Sequence, residues 1–160
     1  MKRVLFEDTR QQKDKHEHKH EWWGQHGLAL VRTKLAFGDY CAPPPVSVDT
    51  KASLYELAYD IDHDHERFRR ELVGARDAGV RLVVLTENDE GVIDLATLAA
   101  WDESQEHYAL RKSAKRRIRG KRLAKACATM AERYGCEFMF CAPKDAARIV
   151  AELVFGDDAI

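Results

Sequence analysis

The sequence contains no long apolar run, and no stretch approaches the ~20 residues that a membrane-spanning helix requires. Met1-Lys2-Arg3 is not followed by an apolar segment either, so we expect no signal peptide and a protein that is not secreted. The four cysteines form no CxxC pair and show no zinc-ligand spacing. These absences argue against a membrane protein, a disulfide scaffold or a zinc module, and they predict reduced thiols in a cytoplasmic protein.

Net charge is also nearly absent, at −1 over 160 residues, which alone predicts no nucleic-acid partner. The charge is unevenly distributed, however, because the segment 111–125 carries nine basic residues and no acidic one. Such a segment is either a solvated arm or a phosphate-binding surface, and lysines and arginines that meet phosphates contribute salt-dependent affinity. We favour DNA contact here, through Arg116, Arg117, Arg119, Lys121 and Arg122.

The periodicity of apolar residues predicts an α/β fold. The run 80–86 is nearly continuous in branched apolar residues, as in a strand buried on both faces, and 3–6 and 136–141 are shorter strands. Helical spacing follows at 54–61, 68–75 and 123–134, and Pro143 begins a closing helix that runs to about Phe155. We therefore expect one domain over 1–160, with a mixed central sheet flanked by helices.

A hairpin is predicted between Gly38 and Lys51. Strand-like residues from 28 to 37 lead into Gly38-Asp39-Tyr40, three prolines follow at 43–45, and alternation resumes from Val46 to Lys51. Alternation places Asp49 and Lys51 on one face of the strand, and pairing brings Asp39 beside Asp49. Two carboxylates and an ammonium at this hairpin can bind a divalent metal and steer or activate a water molecule.

The same residues resemble the PD-(D/E)XK nuclease superfamily, and more narrowly the nuclease domain of XPF-type structure-specific endonucleases. That family reads DxRE at the end of an opening strand, then GD, then ERK. Asp8 and Arg10 match the first motif, Gly38-Asp39 the second and Asp49-Thr50-Lys51 the third, over roughly residues 3–88. The resemblance implies a restriction-endonuclease-like fold with a catalytic hairpin, and residues 89–160 add the basic helix, a closing strand and a closing helix.

The resemblance also implies a function, namely Mg²⁺- or Mn²⁺-dependent hydrolysis of phosphodiester bonds in branched or junction-like DNA. Asp39 and Asp49 would bind the metal with Asp8 nearby and with a backbone carbonyl after Asp49, while Lys51 would orient or help deprotonate the attacking water. Arg10, Arg67 and the basic segment would contact phosphate. A phage-like, single-domain nuclease of recombination or repair, acting in the cytoplasm or on the nucleoid, fits this interpretation, with branch specificity from a homodimer or from the basic helix.

Four positions depart from the family pattern. Gln11 stands where DxRE has Glu, and Asp49 and Thr50 stand where ERK has Glu and Arg. Tyr55 stands where the family has an acidic residue four positions after the lysine. Glu56, one position further on, is kept as a candidate. A catalytically weak or inactive DNA-binding protein of the same fold is therefore the second hypothesis.

A third hypothesis is a zinc hydrolase. His16 and His20 lie one helical turn apart, and 60–65 reads DIDHDH. No third ligand follows at a standard spacing. A solvated helix that Trp22 and Trp23 dock to the sheet accounts for the first segment, and a solvated link between helices accounts for the second.

Overall fold

The chain folds into six strands and flanking helices in a computed structural model, which describes residues 3–12, 15–42, 46–101 and 119–156. The strands are β1 (Val4–Asp8), β2 (Ala29–Thr33), β3 (Tyr40–Ala42), β4 (Val46–Lys51), β5 (Arg81–Glu87) and β6 (Glu137–Cys141). The helices are α1 (Glu17–Gln25), α2 (Leu54–Asp62), α3 (His65–Asp77), α4 (Leu95–Ala100), α5 (Gly120–Tyr134) and α6 (Pro143–Phe155).

The strands form one mixed sheet in the order β2-β1-β3-β4-β5-β6. β3 is antiparallel to both β1 and β4, whereas β4, β5 and β6 run parallel, as do β1 and β2. This arrangement confirms the predicted α/β class, the hairpin and the closing strand. The three prolines at 43–45 lie outside the described residues.

One strand prediction needs correction. Residues 28–37 were expected to lead directly into the hairpin, but β2 ends at Thr33 and lies at the edge of the sheet, parallel to β1. The reason is α1, which crosses from β1 to β2 and packs on the sheet, so that the chain returns beside the strand it left. The pairing of Glu7 with Arg32 in this register also brings two opposite charges together.

Helices cover both faces of the sheet, and each face has its own apolar core. On one face, Leu82, Val84 and Phe140 pack with α2, α3 and α5. On the other, Leu5, Val48 and Leu85 pack with α1 and α6. The hairpin strand β4 therefore lies in the middle of the sheet, with helices over both of its faces.

Trp23 fixes α1 to the second face, as the sequence predicted. Its ring is 1% exposed and meets Tyr40 edge-on at 4.9 Å between centroids. Its indole Nε1 donates to the carbonyl of Ala147 at the first turns of α6. Among the helices that the structure describes, none combines the length and the apolar character that a membrane crossing requires.

Candidate active site

The antiparallel pairing of β3 and β4 brings Asp39 to the position opposite Asp49. Tyr40 pairs with Val48, and Asp39 N–H donates to the carbonyl of Val48 at 2.8 Å. The carboxylate of Asp39 accepts from the backbone N–H of Thr50 at 2.7 Å and from its hydroxyl at 2.8 Å. The threonine at a position where the resembled family has arginine thus holds Asp39 in place.

Lys51 lies between two buried carboxylates. Its Nζ is 2.9 Å from Oδ2 of Asp49 and 2.5 Å from Oδ2 of Asp60, and it also lies 5.1 Å from the centroid of the Phe68 ring. Burial lowers the pKa of Lys51, but the carboxylates of Asp49 and Asp60 more than offset this, and the net pKa is raised. The ammonium is therefore protonated, and it can stabilise negative charge or orient water but cannot accept a proton.

Asp49 is a buried acid on the hairpin strand β4. Burial raises its pKa, Lys51 lowers it, and the negative charges of Asp39 and Glu71 raise it again, so the net pKa is above its ordinary value. Its Oδ2 is buried and lies 2.9 Å from the ammonium Nζ of Lys51. A buried carboxylate oxygen beside an ammonium lies in a place suited to cations.

Asp8 lies beside this hairpin, and its backbone N–H donates to the carbonyl of Asp39 at 2.7 Å. Its two carboxylate oxygens are both engaged by Arg10, through the backbone N–H at 2.9 Å and through Nε at 2.7 Å and Nη2. Burial raises the pKa of Asp8, and the hydrogen bonds from Arg10 reverse this, leaving the net pKa lowered. Arg10 also donates to the carbonyl of Leu35 at 3.0 Å.

These residues fit a magnesium or manganese site in part. Mg²⁺ is typically held by one or two carboxylates together with water and substrate phosphate, and the facing Asp39 and Asp49 supply such a pair. Asp8 fits less well, because Arg10 occupies both of its oxygens. Within the described ranges, no group of three or more His, Cys, Asp or Glu side chains is placed to hold a metal by itself.

Asp60 is a site residue that the motif comparison missed. It is 4% exposed, contacts Lys51 and lies 3.4 Å from Nη2 of Arg67. The motif led instead to Tyr55 and Glu56, earlier on α2. A signal was present, because Asp60 is next to the buried Ile61 at the edge of the apolar face of this helix.

Glu56 has a structural role at the start of α2. Its N–H donates to the hydroxyl of Ser53 at 3.2 Å, and its carboxylate accepts from the N–H of Ala52 at 2.8 Å. These bonds are those of a helix N-terminus, in which side chains satisfy free backbone donors. The structure therefore places Glu56 at a cap, where its hydrogen bonds are to Ser53 and Ala52.

Glu71 is the second residue that sequence reasoning missed. It projects from α3 and accepts from the N–H of Gly38 at 2.9 Å, which fixes the turn before Asp39. The sequence signal was a carboxylate at helical spacing within the apolar face formed by Phe68, Leu72 and Ala75.

The predicted phosphate-binding residues divide into two groups. Arg10 and Arg67 border the site with side chains 61% and 58% exposed. Arg119, Lys121 and Arg122 are exposed at the start of α5, and Arg122 Nη2 comes within 4.0 Å of Asp62 on α2. Arg116 and Arg117 lie outside the described residues.

The histidines of the zinc hypothesis have separate partners. His16 Nε2 is 2.8 Å from Gln11 Oε1, and His20 Nε2 is 2.9 Å from Glu7 Oε1. Gln11, which replaces the glutamate of the opening motif, thus serves to hold α1. Nothing within the described ranges joins these histidines, or the 60–65 segment, into a metal cluster.

The environment of His16 predicts a pH-dependent stability. Burial lowers its pKa from 6.5 to about 4, so the unfolded chain takes up this proton first. Neutral His16 stabilises the folded state fully above pH 6.5. This stabilisation, about 1–3 kcal/mol of unfolding free energy, is lost as the pH falls from 6.5 through 4. Urea unfolding at several pH values should show a flatter profile for His16→Gln than for the wild type.

The matched control is His18→Gln, since His18 is exposed on the same helix. Carboxylates also titrate in this pH range, so the effect of His16 is the difference between the pH profiles of unfolding free energy for His16→Gln and His18→Gln. Equal slopes for wild type and His16→Gln would contradict the burial of a neutral His16.

The sheet, its helices and the hairpin define an XPF-like nuclease fold. Among solved structures, XPF from Aeropyrum pernix matches with a TM-score of 0.64 and 17% identity over 94% of this chain. XPF from Aeropyrum pernix in complex with DNA matches with a TM-score of 0.64 and 15% identity over 95% of this chain.

The likeness at this identity is one of fold. The chain spans 63% of the length of each of these XPF chains. No protein-family model matches the sequence, and no curated protein does either. The predicted nuclease-like fold is thereby confirmed, while the roles of individual residues stay predictions.

Proposed function

We propose that this protein is a metal-dependent DNA endonuclease that cleaves phosphodiester bonds in branched or junction-like DNA. One observation carries the proposal: on an XPF-like fold, the hairpin places Asp39 near enough for its charge to raise the pKa of Asp49, and the ammonium of Lys51 lies 2.9 Å from Asp49. The DNA complex of the Aeropyrum pernix XPF supports DNA as the partner. Branch preference, a homodimer and action in the cytoplasm or on the nucleoid belong to the same proposal.

The side chains have distinct roles in this proposal. Asp39 and Asp49 hold Mg²⁺ or Mn²⁺, which, when bound, makes water more acidic and neutralises charge on the scissile phosphate. Lys51, kept protonated by Asp49 and Asp60, orients the water and stabilises negative charge on the phosphate oxygens. Asp8 serves as the partner that orients Arg10 toward phosphate.

Cleavage of labelled DNA tests the proposal. Wild type should cut a splayed fork or four-way junction faster than duplex with Mg²⁺ or Mn²⁺, and EDTA should stop it. Asp49→Asn should lower the rate by about a hundredfold or more while DNA affinity stays within a few-fold. This variant is well suited, because asparagine has the shape of aspartate and Lys51 keeps Asp60 as a partner, so the protein should fold.

Asp89→Asn is the matched control, because Asp89 is exposed and belongs to the loop after β5. Cutting by Asp49→Asn at the wild-type rate would remove Asp49 from the mechanism. If the wild type binds DNA but cuts none of the substrates, the inactive DNA-binding protein is the better description. The pairing of Asp8 with Arg10 and the limited set of facing carboxylates favour that second candidate.

A further inference from the structure

Tyr59 is an exposed aromatic ring that the core does not use. It lies on α2, whose Leu54, Leu57, Ala58 and Ile61 are buried, and it points away from that face with 58% of its surface exposed. The other exposed large apolar side chains among the described residues, Val31 and Ile93, are aliphatic. Burial therefore gives no reason for an aromatic residue here.

The Tyr59 ring is oriented by a neighbour. His63, one helical turn further on, stacks on it with centroids 5.0 Å apart and planes 12° apart. The pair presents flat rings at the surface where α2 turns into α3. Because His63 covers one side of Tyr59, the large exposed fraction of Tyr59 leaves ring surface for another planar group.

Charged groups of both signs lie on the elements that carry or pack beside this pair of rings, and Asp62 Oδ2 is 3.9 Å from Nδ1 of His63. Arg67 on α3 and Arg122 on α5 have side chains 58% and 59% exposed. Asp64 is paired with Arg67 and Asp62 lies near Arg122, so these two arginines add little net positive charge. The unbalanced positive charge comes from the start of α5, which has no acidic residue in its first turns and carries Arg119, Lys121 and Lys125. Aromatic rings among cations are the arrangement that binds single-stranded nucleic acid, with bases stacked and phosphates paired.

Ion pairs connect the surface around Tyr59 and His63 with the candidate active site. Arg67 reaches from the surface to within 3.4 Å of Asp60 Oδ1, and Asp60 contacts Lys51. Asp60 is also the chain neighbour of Tyr59. Arg67 is therefore the cation that connects the surface of α2 and α3 with the side chains of the hairpin.

We propose that Tyr59 and His63 form a stacking platform for an unpaired base of the DNA substrate, next to the cleavage site. The inference rests on the proposed function, since it takes DNA as the partner, and it adds that the strand is unpaired at this point. The platform binds any base, because each base has a stacking face, and it selects DNA with a single-stranded segment over duplex.

Two measurements test the platform without requiring cleavage. Tyr59→Ala should bind a single strand and a splayed fork about tenfold more weakly, about 1.4 kcal/mol, and should bind duplex within about twofold of wild type. Tyr59→Phe keeps the ring and should bind as wild type does. Irradiation of a single strand containing 5-iodouracil should cross-link wild type at Tyr59, mapped by mass spectrometry.

Ile93→Ala is the matched control, since Ile93 is also exposed but belongs to the loop after β5. Wild-type affinity of Tyr59→Ala for all DNA forms, with cross-links elsewhere, would overturn the platform and leave the proposed function standing. Equal weakening for duplex and single strand would also overturn it, because stacking on an unpaired base predicts a difference. A wild type that binds no DNA at all would instead overturn the proposed function.

Discussion

Replacement of Lys51 by methionine is expected to lower the free energy of unfolding by about 3–5 kcal/mol. Methionine keeps an unbranched apolar stem of similar length but removes the cation, so Asp49 and Asp60 lose a shared partner in a buried environment. Asp60 retains Arg67, whereas Oδ2 of Asp49 has no hydrogen bond to fall back on. Urea denaturation at pH 7 measures the loss as a lower midpoint with an unchanged slope.

A double variant separates this charge effect from packing. Asp49→Asn removes the unpaired charge, so Lys51→Met combined with Asp49→Asn should be more stable than Lys51→Met alone. The coupling energy between the two positions should be about 1–3 kcal/mol. A loss below about 1 kcal/mol for Lys51→Met, with no coupling, would contradict the buried ion pairs described here. Cleavage by the single variant should be abolished in either case.

Local patterns were sufficient to predict the frame of the molecule. The continuous apolar run that became β5 has partners on both sides, and the alternation in β4 correctly predicted that this strand pairs with β3 in a hairpin. These predictions succeeded because strand burial and hairpin register depend on residues that are close in sequence. The placement of β2 failed for the opposite reason, since it depends on how α1 docks.

The missed residues share a physical cause. Asp60 reaches Lys51 from α2 and Glu71 reaches Gly38 from α3, so both contacts depend on where two helices settle on the sheet. The family pattern predicts an acidic residue about four positions after the lysine. In this chain the acidic residue nearest that position is Glu56, which caps α2. A carboxylate within an apolar helical face was the better signal, because burial of such a group requires a partner.

The structure also gives a reason for one departure from the pattern. Thr50 donates to Asp39 through its backbone N–H, which any residue but proline has, and through its hydroxyl, which arginine lacks. No pattern of residue types reveals this, because Thr50 and Asp39 meet only when the hairpin forms. The sequence therefore indicated where the chemistry lies but not which neighbours hold it in place.

Replacement of Gly38 by alanine is expected to lower the free energy of unfolding by about 2–3 kcal/mol and the rate of DNA cleavage by about tenfold or more. Gly38 has φ +68°, and an added Cβ would lie 3.0 Å from the carbonyl oxygen of Val48, which is the acceptor for Asp39 N–H. The substitution thus adds backbone strain and also pushes on the bond that positions Asp39.

Gly79→Ala is the matched control for this experiment. Gly79 also has φ +68°, but a methyl group added there would meet nothing within 4 Å, so the variant should show the backbone strain alone, about 1 kcal/mol. Urea denaturation compares the unfolding free energies of Gly38→Ala and Gly79→Ala. Cleavage assays on the folded proteins then show whether Asp39 is still positioned for catalysis. Because the φ values are equal, any excess loss in Gly38→Ala measures the contact with Val48. Equal losses, with cleavage intact in both, would mean that Gly38 does not position Asp39.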